Sequence, residues 1–215
     1  MDQPLTSLPA VRPARWRFRG RIAGLGTAEG TRVVLGHWPH SPFGPFADVM
    51  VERPDGHRVL LAPTAEVAEF VGATYRFDEV VLVPVDVRRA GPRWQVTAGP
   101  LELRLVVGRR AGLGHLLRLV PTRLATSLAW ARLTGPVARL LLPGVRTVGS
   151  AGGGRLEWYG ARDVRRVEHA HVRWDGADLG ALGPVHPPTR FGFSSTPAKP
   201  SVVAVVTTVR LPART

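Results

Sequence analysis

The chain has 215 residues, 44% of them hydrophobic, which is enough for one domain with a sizeable core. It contains no cysteine, so a disulfide framework, a thiolate metal site and a cysteine nucleophile are excluded. The net charge is +13, with Lys199 the one lysine among 29 basic residues, and it favours anionic partners; yet the arginines are spread along the chain, and no basic block or nucleic-acid-binding motif appears.

Residues 1–13 carry Asp2, Pro4, Pro9 and Pro13 and no apolar run. They read as a flexible segment, neither signal peptide nor anchor, ahead of one β-rich domain over 14–215, and a cytoplasmic location is expected. Within "ARWRFRGRIAGL" the residues Trp16, Phe18, Gly20 and Ile22 alternate with Arg15, Arg17, Arg19 and Arg21, the period-two pattern of a strand with one buried face. "GTAEG" reads as a hairpin turn into "TRVVLGHW", and "GLGTAEG" from Gly24 to Gly30 lacks the spacing of a dinucleotide-binding loop.

The stretch "SPFGPFADVMVE" follows, with Pro42 and Pro45 fixing φ and Gly44 permitting a sharp bend, so Phe43 and Phe46 arrive in a defined direction. On the strand after it, Asp48 shares a face with Phe46 and Met50, an apolar setting that raises a carboxyl's pKa unless an arginine neutralises it; if that face meets solvent, the segment is only a stiff corner and Asp48 a surface charge. Asp55-Gly56 in "RPDG" is a strong hairpin signal. "TAEVAEFVGATY" predicts a short helix with Thr64 as N-cap and Glu66 in the first turn, ending near Gly72. Strands are predicted at "FDEVVLVPVDV", "RWQVTAG" and "LELRLVV".

Leu113, Leu116, Leu117, Val120, Leu124 and Leu128 recur at helical spacing, and Pro121 and Gly135-Pro136 divide the apolar region into three pieces. A kinked helical insert over about 111–142 is expected; Arg132 and Arg139 make a membrane span too costly. "VGSAGGGR" reads as a mobile loop, and "RLEWYG", "VRRVEHAHVRW" and "SVVAVVTTVRL" as the last strands. His169 and His171 share a strand face, with Glu157 or His186 the nearest third ligand to consider, but nothing in the spacing demands one; no metal site and no cofactor is expected.

The fold class expected is therefore mostly β (α+β): a single-domain antiparallel β-barrel-like sheet with a kinked helical insert. On Gly44, Pro45, Phe46 and Asp48 the chain resembles acetoacetate decarboxylase-like proteins, with Phe in place of that family's usual Tyr and Asp in place of its Glu. The resemblance implies a β-barrel with the carboxyl of Asp48 projecting into an interior hollow. That family's decarboxylases use a lysine downstream of the Gly-Pro segment as Schiff-base former. No lysine precedes Lys199 here, and the arginines at Arg88-Arg89, loosely placed where the lysine would be wanted, cannot form an imine. An arginine would instead hold a carboxylate by two hydrogen bonds.

Two function classes follow. The first is a binding protein for a small carboxylate or keto acid, or an enzyme acting without a Schiff base, with Asp48, Phe46, His40, Arg88 and Glu157 as ligand-binding residues and no catalytic residue assigned. The second is an arginine-rich interaction protein docking on an anionic membrane surface or an acidic partner. Peripheral membrane contact and homo-oligomer formation stay open with it, since the exposed β edges and the apolar insert both favour association.

Overall fold

The computed structural model describes residues 14–212; the N-terminal segment 1–13, expected to be flexible, lies outside the described residues. The described strands join in one 13-stranded sheet. In chain order they are β1 (Arg15–Thr27), β2 (Arg32–His40), β3 (Phe46–Glu52), β4 (Arg58–Ala62), β5 (Glu79–Leu82), β6 (Val85–Ala90), β7 (Arg93–Ala98), β8 (Leu101–Arg110), β9 (Val148–Ser150), β10 (Leu156–Trp174), β11 (Ala177–Asp178), β12 (Leu182–Gly183) and β13 (Ser201–Arg210). The helices are α1 (Ala65–Gly72), α2 (Gly112–Leu119), α3 (Thr122–Ala125) and α4 (Leu128–Leu141).

The main path through the sheet runs β5-β4-β3-β2-β1-β13-β10-β8-β7-β6. All pairings are antiparallel except β4 with β5, which are parallel because α1 carries the chain over between them. The sheet curls into a half-barrel, so that its two ends meet face to face. Leu25, Leu35, Val49 and Leu61 from one end and Val96, Leu101 and Leu103 from the other form one fully buried core. This agrees with the mostly-β, barrel-like expectation.

Local signals explain most element ends. Gly56 sits at φ +90 in the β3–β4 turn and its amide donates to Arg53 O at 2.9 Å, as Asp55-Gly56 predicts. The Thr64 side chain accepts from Val67 N at 3.3 Å and caps α1. Pro84 lies in the break between β5 and β6, dividing what the sequence reads as one strand. The two strands predicted over "RLEWYG" and "VRRVEHAHVRW" are instead the single 19-residue β10, whose pairing with β13 shifts register between Ala161 and Asp163.

Two further expectations change. Pro136 does not end a helix: α4 runs through it, and the break falls at Ser127, whose hydroxyl accepts from Trp130 N at 3.1 Å. Arg132, whose carbonyl would have bonded the missing Pro136 amide, is exposed, so water can satisfy that carbonyl. The glycine run is only partly loop, because Val148–Ser150 pairs with β10 before Gly152, Gly153 and Gly154 turn the chain at positive φ. Among the described residues no helix is long and apolar enough to cross a membrane.

Candidate functional site

The Pro-Phe-Gly-Pro-Phe bend is a tight turn. Gly44 adopts φ +77, its amide donates to Ser41 O at 3.2 Å, and the Ser41 hydroxyl accepts from Phe43 N at 3.0 Å. The turn delivers Phe43 and Phe46 into a cluster with Trp16, Phe18 and Phe70, with ring centroids 5.2–6.3 Å apart. Phe70 belongs to α1, so the cluster fastens that helix across the sheet.

Period two then decides which side each residue of β3 serves. Ala47, Val49 and Val51 enter the core enclosed by the curled sheet, whereas Phe46, Asp48 and Met50 face α1. Asp48 is buried at 2% exposure, but not inside the half-barrel: that interior is filled by aliphatic side chains, and the carboxyl lies on the reverse face under α1. The hollow expected from the resemblance is therefore displaced to the other side of the sheet. The alternation was legible in the sequence; which of the two faces the strands would enclose was not.

Between this face and α1 lies a cavity of about 50 Å³. Phe18, Ile22, Phe46, Met50, Phe70 and Val71 supply its apolar walls, and Trp38, Asp48, Thr74, Tyr75, Glu157, Tyr159 and Thr207 its polar groups. Cross-strand register assembles it. Asp48 lies opposite Gly36, Tyr159 opposite Thr207, and Thr207 opposite Phe18. Gly36 is required here, because a Cβ on it would stand 2.5 Å from Trp38 Nε1 and collide with Asp48 Oδ1. That space lets the Trp38 indole N–H donate to Asp48 Oδ1 at 3.0 Å.

Burial raises the Asp48 pKa to about 7, with the Trp38 hydrogen bond partly opposing the rise. Glu157, at 1% exposure, is likewise pushed up to about 7 by burial, against hydrogen bonds from Tyr75 and Tyr159. The Tyr75 hydroxyl donates to Glu157 Oε1 at 2.8 Å and lies 2.9 Å from the Tyr159 hydroxyl. Burial beside Glu157 raises both phenols well above their ordinary value, so they stay neutral donors. Glu157 Oε2 and Thr207 Oγ1 are buried without any hydrogen-bond partner. An orphaned carboxyl oxygen of this kind costs about 1–3 kcal/mol, more when ionised, and a polar occupant would remove that cost.

Of the residues expected to bind ligand, Asp48, Phe46 and Glu157 line the cavity. His40 stands exposed at the end of β2, opposite Arg19 on β1. Arg88 stands on the outward face of β6, at an open groove of about 600 Å³ that Arg93, Arg104, His169 and His171 also line. His171 Nε2 lies 3.1 Å from Asp178 Oδ2, and neither histidine approaches Glu157. Among the described residues no three His, Asp or Glu side chains gather as a metal site would require. Lys199 is exposed.

Sequence reasoning passed over Trp38, Tyr75, Tyr159 and Thr207. Tyr75 and Tyr159 are the only tyrosines in the chain, a scarcity that could have singled them out. Their pairing across 84 positions had no signal in spacing. Arg155 escaped as well: it donates to Phe70 O at 3.3 Å and Thr74 Oγ1 at 3.1 Å and lies over the Phe70 ring, bracing the cavity wall from behind.

No family model matches this sequence, and no curated protein matches it. In fold the chain is similar to an acetoacetate decarboxylase of Legionella pneumophila, at 10% identity and a TM-score of 0.43, with 100% of this chain and 97% of that one covered. It is similar also to a second acetoacetate decarboxylase structure, at 11% identity and a TM-score of 0.42, with 99% and 93% covered. The likeness is one of fold alone.

Proposed function

We propose that the protein binds a small carbonyl or hydroxyl compound beneath α1, with the Glu157 carboxyl exchanging a proton with it. The observation that carries this reading is that Glu157 Oε2 and Thr207 Oγ1 are both buried without a partner, and both belong to residues lining one cavity. At about 50 Å³ the cavity has room for about four waters at ~10–15 Å³ each, or for a ligand of a few heavy atoms. A carboxyl whose pKa is about 7 is suited to general acid or base work near neutral pH, because both of its forms are populated there.

The lining also bears on ligand class. No lysine or arginine belongs to it, and Arg155 is engaged behind the wall, so an ionised carboxylate would lack a counter-charge. A neutral ligand is favoured over the carboxylate or keto acid expected from the sequence. Its character should follow pH: protonated Glu157 donates to a carbonyl, while the ionised form accepts from a hydroxyl.

Thermal-shift and saturation-transfer NMR titrations with short ketones, hydroxyketones and 2-keto acids test this. Ketones should bind more tightly below pH 7 and hydroxyl compounds above it, with keto acids weakest, and Glu157→Gln should reduce the pH dependence to what Asp48 contributes. Absence of binding across the panel, or identical binding by wild type and by Glu157→Gln and Thr207→Val, would overturn the proposal.

A further inference from the structure

The helical insert is built inside out. An ordinary surface helix turns its apolar stripe towards the core. Here the residues that meet β10 are small: Ala125 and Ala131 are each 1% exposed, Ala125 O packs on Gly160, and Gly114 is wedged so close to Val164 O and Asp163 that a Cβ would not fit. The Trp158 indole fastens the insert by donating to Thr126 O at 3.0 Å. The large side chains point the other way.

Of the ten exposed large hydrophobics among the described residues, eight lie between Leu113 and Leu141, with Leu119 at 79% and Leu140 at 82% exposure. On α4, Leu133, Val137, Leu140 and Leu141 stand at i, i+4, i+7 and i+8, one stripe opposite the buried Ala131. Exposed aliphatic side chains gathered in this number on one insert mark a contact surface.

The charges around it select the occupant. Arg118, Arg123, Arg132 and Arg139 are exposed among the leucines, and the sequence has no Asp or Glu between Glu102 and Glu157. A second copy seated two-fold on the same face would set arginine against arginine with no acid between them. Protein partners draw their binding energy mainly from aromatic and arginine anchors in shaped pockets, with leucine under-represented. A bilayer surface asks only for aliphatic side chains that reach the acyl boundary and guanidiniums at the level of the phosphates.

The geometry points to α2–α4 as a peripheral docking surface for an anionic phospholipid bilayer, with Leu119, Leu133, Val137 and Leu140 immersed and Arg118, Arg132 and Arg139 on lipid phosphates. The cavity beneath α1 plays no part in this, so either proposal can fail alone.

Co-flotation of the full chain with vesicles of phosphatidylcholine, alone or mixed with phosphatidylserine, tests it. Binding should need phosphatidylserine and decline with added salt. Arg132→Gln with Arg139→Gln should weaken it roughly thirtyfold at about 1 kcal/mol per arginine. Leu133→Ser with Leu140→Ser should weaken it at least tenfold while leaving the melting temperature and the solution mass unchanged, since both leucines are exposed. Absence of flotation at low salt, retention by both double variants, or a wild-type dimer that the leucine variant dissociates would each overturn the assignment.

Discussion

Asp48 and Glu157 impose a pH dependence on the fold. Each has a folded-state pKa of about 7, against 3.8 and 4.5 for the exposed groups. In the window between these values the folded chain holds protons that the unfolded chain has released, so stability is fully present below about pH 4 and declines until about pH 7. At 1.36 kcal/mol per pKa unit the loss is on the order of 4 kcal/mol for Asp48 and 3 kcal/mol for Glu157. Urea unfolding at a series of pH values should show this slope for wild type, and a shallower one for Asp48→Asn, which keeps an acceptor for the Trp38 indole. A flat profile for wild type would mean that the carboxyls are hydrated in solution.

Among the elements, α1 and β10 carry the site. The helix is only eight residues long, too short to hold its shape without packing, and it roofs the cavity through Phe70, Val71 and the turn that bears Thr74 and Tyr75. Its N-cap therefore matters to the site as well as to the fold. Thr64→Ala should lower stability by about 1 kcal/mol, and amide exchange along 65–75 should quicken more than in the strands beneath. Equal protection in the variant would show that the Phe70 cluster alone holds the roof. Strand β10 gives Glu157 and Tyr159 to the cavity on one face and Trp158 and Gly160 to the helical insert on the other.

At the scale of the whole molecule, the long connection after β12 is fixed by an ion cluster in which Glu52 and Arg32 are buried and Arg190 is exposed. Glu52, fully buried at the end of β3, accepts from Arg190 Nε and Arg190 N at 2.9 Å each and lies 3.3 Å from Arg32. Arg32 in turn donates to Pro187 O and Arg53 O. Removing one partner of such a set leaves the other buried charge uncompensated, so Glu52→Ala should cost about 3–5 kcal/mol and loosen residues 184–196, measurable by denaturation and limited proteolysis. Wild-type stability in the variant would place Arg32 in contact with water.

Much of this was written in local sequence. Alternation over 14–25, the Asp55-Gly56 turn, the Thr64 cap and the stiff bend before Asp48 act between residues a few positions apart, so each could be recognised without knowing where the chain would go next. The same holds for the absence of any lysine before Lys199. Three things were decided only by tertiary structure. The curl of the sheet chose Val49 rather than Asp48 for the enclosed face, the union of Tyr75 with Tyr159 and Glu157 made the cavity polar on one side, and the packing of Ala125 and Ala131 on β10 turned the leucines outward. A period of two or of 3.6 says that an element has two faces. Which face is buried depends on partners far away in sequence, and that energy is absent from any local window.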